Sequence, residues 1–384
     1  MTAAPATITV ASVGDLILDE PDPASYLAAS APLLRGVDVA IGHVEVPHTT
    51  ATASASTDVP APPADPAALG ALTDAGFHVV TLAGNHIYDL GDAGVVDTVR
   101  HAREAGLVPT GAGATLAEAR TPAVIERGGL RVGVLSYNCV GPRESWATSG
   151  KPGCAYVHVL THYELDHASP GGPPRIYTFA DPDSLDAMAA DVAALRADVD
   201  VVLVSLHKGV GHTPAAVAMY ERPVARAAID AGADAVFGHH AHIMRGIEVH
   251  RGRPIFHGLG NFVTVTHALT PGGDRGGAEL QEWSRRRKEL YGFAPDPAMP
   301  QYPFHPQSRN TVVALCRFDA GGLVEAGFAP CWIDDTASPV PLEAGPQADA
   351  VAGYVEQITR SAGLNGRFVR RGAELLISGV GRTP

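Results

Sequence analysis

Short apolar runs, each ending in glycine or polar positions, recur along the chain up to about residue 265. Residues 8–13, 37–41, 79–82, 201–206 and 235–237 are such runs. Stretches of this length bounded by glycine predict central strands of an α/β sheet, buried on both faces. Helix signals fill the gaps. Residues 24–34 predict a helix after an Asp/Pro-rich loop, 66–75 a helix stopped by Gly76, and 91–105 one stopped by Gly106. Further along, 130–137 predicts a strand, 183–195 a helix, 199–206 a strand, and 215–231 a helix closed by Gly232. Residues 245–250 and 254–257 predict a hairpin across Arg251-Gly252-Arg253.

Two stretches break this alternation. Residues 47–66 are a run of Thr, Ala, Ser and Pro, too polar and proline-rich to pack as an element, and predict either a loop near the site or, in preference, a surface insertion. Residues 266–307 are rich in charge, proline and aromatics, with a basic helix-like run at 283–290, and predict a lid or insertion. Beyond it, 311–318 and 323–328 predict a hairpin turning at Gly321-Gly322, and 347–361 a terminal helix. The expected organisation is a core over 1–265, a lid or insertion over 266–310, and a hairpin and helix over 311–384 completing the same domain.

The polar residues that end the strands form a set. They are Gly14-Asp15, Glu45, Gly84-Asn85-His86, His207-Lys208-Gly209 and Gly238-His239-His240-Ala241-His242. In open α/β sheets, reactive groups collect beyond the carboxyl ends of the strands. Five strands delivering acids, amides and imidazoles to one sheet edge point to a functional site rather than to core packing.

Composition narrows the class. A formal net charge of −13 argues against non-specific binding of nucleic acid or of anionic membranes. No run of about 18 apolar residues predicts a transmembrane helix. The start Met1-Thr2-Ala3-Ala4-Pro5 lacks the basic and apolar regions of a signal peptide, so the expected location is cytoplasmic. Cys139, Cys154, Cys316 and Cys331 show no C-x-x-C spacing and predict reduced thiols. No G-x-S-x-G elbow or Walker A loop is present, and nothing points to a nicotinamide or pyridoxal cofactor.

With these residues placed, the chain resembles the CapA family of poly-γ-glutamate capsule-synthesis proteins. The matching pieces are Val13-Gly14-Asp15, His43-Val44-Glu45, Ala83-Gly84-Asn85-His86, Ser205-Leu206-His207, Gly238-His239-His240-Ala241-His242 and Gly258-Leu259-Gly260-Asn261-Phe262. The resemblance covers roughly residues 7–265. It implies a calcineurin-like metallophosphoesterase fold, a layered α/β sandwich. It further implies Asp15, Glu45, Asn85, His207, His240 and His242 as ligands of Mn, Fe or Zn, with His86 as catalytic acid.

The chain departs from that pattern. Asp15 is followed by Leu16 and Ile17, so the histidine of the Asp-x-His motif is missing. Lys208 follows His207 where many CapA proteins carry Trp; an ammonium pointing inward would repel divalent cations, whereas one pointing to solvent would leave the site unaffected. The chain is also similar to the CapA-like peptide epimerases found with lasso-peptide biosynthesis. That branch implies inversion of an α-carbon without metal or cofactor. Such chemistry needs a base on one face, an acid on the other, and donors for the developing enolate oxygen. Asp15 is one candidate of the pair, at a strand end in a cleft. His305, in Tyr302-Pro303-Phe304-His305-Pro306, is the candidate opposite partner, with His267 as a second lid candidate. Glu45, Asn85, His86, His207, Lys208, His240 and His242 then bind substrate or stabilise the oxygen. His239 is expected to orient its neighbours, Asn261 to support the site by hydrogen bonds, and His212, His250 and His257 to be structural.

Three functions follow as expectations. The first is a cofactor-independent peptide epimerase acting on a ribosomal precursor, with a leader-peptide-binding protein as a possible partner. The second is a metal-dependent phosphoesterase or amide hydrolase. The third is a non-catalytic binder of a peptide or polyglutamate chain, disfavoured by the acidic charge. The Arg285, Arg286, Arg287 and Lys288 run is either a solvated face or a carboxylate-recognising fork.

Overall fold

The computed structural model describes residues 7–55, 61–165, 171–267, 282, 286 and 288–381. Two sheets pack face to face, with helices outside each. In the larger, ten-stranded sheet, Ile8–Leu18 lies centrally. It pairs in parallel with Val39–Val44, which pairs with Val79–Thr81 and then Val108–Thr110. On its other side it pairs antiparallel with Asn310–Asp319, which forms a hairpin with Gly322–Ile333. The six-stranded sheet runs Ile247–His250, Arg253–Phe256, Ala235–His240, Val201–Lys208, Leu130–Asn138, Ala123–Arg127.

Side-chain alternation sorts each central strand between two cores. Val10, Val39, Ile41 and Val79 from one sheet meet Val132, Val134, Val201, Leu203 and Phe237 from the other, forming the layer between sheets. The opposite faces of the larger sheet, including Ala11, Val13, Ala40 and Val80, pack on helix residues Leu27, Leu34, Leu72, Val95 and Val99. Val202, Val204 and Leu206 of the second sheet face Met188, Val192, Val224 and Ala228 on its own helices. The result is a four-layer sandwich of the mixed α/β class, as the sequence predicts.

Several boundaries differ from expectation. The helix expected over 24–34 is two short ones, Pro23–Leu27 and Ala31–Arg35. Pro32 has no N–H to continue a helix and instead begins the second. The helix expected over 215–231 starts only at Glu221 and runs Glu221–Asp230, with Pro223 in its first turn, where proline is tolerated. Ends of the stretch expected to be a surface insertion are tucked in: His48 and Ala64 bridge and are both buried. An antiparallel ribbon, Val159–Glu164 with Arg175–Ala180, was not expected from the sequence. In the stretch expected as a lid, Met299, Tyr302 and Phe304 join the main core. All four cysteines are buried and free.

Candidate functional site

The layer between the sheets is apolar over most of its length and turns polar at the carboxyl ends of the strands. His43 shares a face with Ile41, Thr81 with Val79, Ser205 and His207 with Leu203, and His239 with Phe237. Asp15 sits at a register irregularity where Ile8–Leu18 leaves one pairing and joins Asn261–Val265. Its N–H donates to Gly260 O at 2.8 Å. Gly14 allows this crossing, because a Cβ there would lie 2.1 Å from Gly260 O.

Two carboxylates and a group of imidazoles converge. Glu45 Oε1 lies 3.6 Å from His207 Nε2 and 3.7 Å from His242 Nε2, and its Oε2 lies 3.7 Å from His43 Nε2. Asp15 Oδ1 is 3.1 Å from His239 Nδ1 and accepts from His240 N at 3.4 Å, while its Oδ2 is 3.3 Å from His242 Nδ1. Outer contacts fix the rings. His43 Nδ1 meets Thr81 Oγ1 at 3.0 Å, His242 Nδ1 meets Asn261 Oδ1 at 2.9 Å, and His207 Nε2 meets Asn85 Oδ1 at 2.7 Å. His86 is set beside the group, with Nδ1 2.8 Å from Asp89 Oδ2. Asp15, His43 and His207 are 0% exposed and Glu45 1%.

Burial governs the protonation states. It raises the Asp15 carboxyl above its ordinary value, with the His242 and His43 charges pulling the other way. It holds His43 and His207 well below the usual imidazole value, reinforced by neighbouring imidazoles. His239 is lowered to about 3, by burial and then by Lys208, and His242 to about 4, mainly by burial. At neutral pH these rings are uncharged, able to accept or donate a proton or to bind a cation through a lone pair.

The donor set fits a divalent transition metal. His43, Glu45 and His207 form one group and Asp15, Glu45 and His242 another, each with ligand atoms within 4.8 Å of one another. Two ligands bound at about 2.0–2.2 Å to one ion lie roughly 3–3.6 Å apart, close to the Glu45–imidazole separations. His43 Nε2 and Asp15 Oδ2 are buried and make no hydrogen bond among the described residues.

Not every expected residue belongs to this group. Lys208 points to the opposite face of its strand. There it is fully buried against Glu221 Oε2 at 2.7 Å, and it reaches the imidazole cluster only through its charge, which lowers His239. Its other contacts are His257 O at 2.9 Å and His257 Nδ1 at 3.2 Å. Strand alternation thus corrects the oxygen-stabilising role expected of Lys208, and its side chain takes neither the inward nor the solvent-facing orientation. His305 is half-buried on the rim; its Nδ1 accepts from Gln307 N at 3.0 Å and its ring edge meets Phe293 at 5.0 Å. No hydrogen bond or ring contact joins it to Asp15 among the described residues. Its neighbour Phe304 does reach the site, 5.1 Å from the His242 ring. His267 pairs with Glu20 at 3.0 Å, away from the cluster. Arg286 and Lys288 are exposed, while Trp283, Arg285 and Arg287 lie outside the described residues.

Other residues were missed or misjudged. His43 received no role, although alternation from Ile41 puts it on the site face. His212, expected to be structural, stacks on His242 at 5.5 Å and meets Tyr291, Phe293 and Phe304, so aromatics collar the mouth. A left-handed backbone at His212, φ 53°, places the ring there, which no periodicity could signal.

Comparison with known proteins identifies relatives of this chain. The family model "Bacterial capsule synthesis protein PGA_cap" matches residues 9–266. A probable polyglutamine synthesis accessory protein of Mycobacterium tuberculosis is 36% identical over 199 residues, covering 50% of this chain and 47% of its own. The capsule biosynthesis protein CapA of Bacillus anthracis is 30% identical, covering 50% and 41%. The PGA biosynthesis protein CapA of Bacillus subtilis is 31% identical, covering 50% and 44%. The chain thus spans less than half the length of these relatives. A solved structure, TT1561 of Thermus thermophilus, aligns over 67% of this chain and 90% of its own, at TM-score 0.34 and 11% identity. Among the described residues no helix is long and apolar enough to cross a membrane. With a family model matching most of its length across the strands that carry Asp15, Glu45, Asn85, His207 and His242, the chain belongs to the bacterial capsule synthesis protein family PGA_cap, the family of CapA.

Proposed function

We propose that this protein modifies a peptide, most concretely as an epimerase that inverts an α-carbon by acid–base chemistry. The observation that carries the reading is the convergence of two elements on the His242 ring. Asp15 approaches it from the cluster floor at 3.3 Å, and the loop bearing His305 approaches through Phe304 at 5.1 Å. Between them, Asp15 and His305 would address the two faces of a bound residue. One removes the α-proton and the other delivers a proton to the opposite face, so the net composition is unchanged. Burial pushes the Asp15 carboxyl up and the His305 imidazole down, which brings two proton-exchanging groups closer in basicity. Asn85, His86, His207 and His240 would supply donors for the enolate oxygen. The His207 Nε2–H donates to Asn85 Oδ1, which favours this reading over a metal, since the ring nitrogen facing Glu45 then carries a proton rather than a free lone pair. The substrate class under this reading is a ribosomal precursor peptide, delivered with or without a leader-binding protein.

The test is solvent deuterium exchange into candidate peptides, followed by mass spectrometry. Wild type is expected to incorporate deuterium at one α-carbon. Asp15→Ala and His305→Asn, each checked for folding, are expected to lose it by about 100-fold or more. Full exchange in either variant removes that residue from the mechanism.

A second reading rests on Glu45 being shared by two ligand groups. Asp15, Glu45, His43, His207 and His242 would hold Mn, Fe or Zn, and the metal would polarise a phosphoryl or amide group and activate water. His86, oriented by Asp89, would then serve as acid. One or two tightly held metals per chain, with hydrolysis abolished by chelator, would replace the first reading with this one.

A further inference from the structure

Arg245 lies just past the histidine motif and is 0% exposed. Its Nη2 donates to Val210 O, while Nε and Nη1 are buried and have no hydrogen-bond partner among the described residues. A guanidinium is a fixed cation, and buried charges are ordinarily paired. The carboxylate acting on Arg245 is Glu221, but Glu221 is already spent on Lys208 at 2.7 Å and on Ala218 N at 2.6 Å. Two cations, Lys208 and Arg245, thus share one anion. Glu248 does not balance the excess, because it pairs with Arg222, Arg226 and His257. Tyr220 and Tyr354 also bear on the Arg245 charge, but burial pushes both phenols up, which keeps them protonated and neutral. The loop at Val210, itself 42% exposed, supplies the carbonyl that meets the guanidinium. The same loop carries His212 against His242 at the candidate site.

We propose that Arg245 is an anion-binding site that takes a compact carboxylate under the Val210 loop, neutralising the excess buried cation. The carboxylate would replace the Val210 carbonyl as acceptor and satisfy Nε as well, a charge-assisted arrangement that guanidinium geometry suits. The site is distinct from the imidazole cluster and does not depend on which reaction that cluster performs.

The probe is acetate, titrated at constant ionic strength into the full-length protein against perchlorate as filler. The readout is the Arg245 Nε–H resonance in nitrogen-15-labelled protein, assigned by its loss in Arg245→Lys. A saturable shift with acetate, and a melting temperature that rises along the same curve, is expected. Arg245→Met should lose the saturable rise; should it fail to fold, Arg245→Lys should weaken half-saturation about tenfold by losing the planar fork. A free peptide bearing a carboxylate, used as a second titrant, separates a substrate group from a solvent anion: competition with acetate assigns the site to the substrate, and no competition leaves it to free carboxylates. An Nε–H resonance unmoved by acetate, or the same melting response in wild type and both variants, overturns the proposal.

Discussion

His207 and Lys208 are chain neighbours on Val201–Lys208 that face opposite layers of the sandwich. His207 turns to Glu45 at 3.6 Å, and Lys208 to Glu221 at 2.7 Å. One strand end thus serves the candidate site on one face and a buried ion pair on the other. The pair is fully enclosed, and Glu221 is the carboxylate that holds the Lys208 ammonium there.

Replacing Lys208 alone should therefore be costly. Lys208→Met leaves the Glu221 carboxylate buried without its hydrogen-bonded partner, with only the Arg245 charge acting on it, and a loss of about 3 kcal/mol is expected in urea unfolding. Glu221→Leu strands both Lys208 and Arg245 and should cost at least as much. A single variant as stable as wild type would show that the pair carries no such dependence.

Gly14→Ala tests the backbone crossing that sets Asp15. Its Cβ would meet Gly260 O at 2.1 Å, and backbone cannot move aside as a flexible side chain can. A loss of about 3 kcal/mol or more is expected, with Asp15 displaced and activity falling alongside. Circular-dichroism melting and the exchange assay together check it; unchanged melting would contradict the crossing.

These two predictions also mark what the sequence made legible. Glycine-bounded apolar runs gave away the central strands, and their polar ends named Asp15, Glu45, Asn85, His207 and His242. Alternation along 201–208 was enough to separate Lys208 from His207, and along 39–44 to add His43. Both follow from period two once strand limits are known. His212 was hidden because its place depends on a left-handed turn. Arg245 was hidden because nothing local marks a cation for burial. The ribbon of Val159–Glu164 and Arg175–Ala180 lacked a clean alternation, with Tyr163 and Phe179 both exposed on it.

His48 predicts a pH dependence away from the candidate site. Its folded pKa is lowered to about 4, chiefly by burial, against an ordinary 6.5. The unfolded chain therefore binds more protons than the native one between these values, so stability is full above pH 6.5 and falls as pH drops toward 4. The contribution is on the order of 3 kcal/mol, from 1.36 kcal/mol per pKa unit. Unfolding curves between neutral and acid pH should be flatter for His48→Gln, provided it folds. An equally steep acid loss in that variant would assign the effect to other groups.

Chelation separates the two functional readings. Under the acid–base reading, exchange into peptide is expected to persist at full rate after prolonged treatment with EDTA and removal of the chelate. Loss of exchange on chelation, restored by Mn, Fe or Zn, would move the chemistry to Glu45 and its two ligand groups.

The strand that bears Asp15 is hemmed in by residues from both ends of the chain. Val39–Val44 covers one edge early, but Asn310–Asp319 covers the other, nearly three hundred positions later. During synthesis Ile8–Leu18 must wait with an open edge until that late segment emerges from the ribosome. An open apolar edge is a template for pairing with other chains. A product cut after residue 266, where the family match ends, would keep the imidazoles of the cluster, lose His305, and lack the neighbour that closes the sheet. Such a fragment should collect in inclusion bodies, so trimming the gene to its recognisable portion is the wrong way to obtain a working protein.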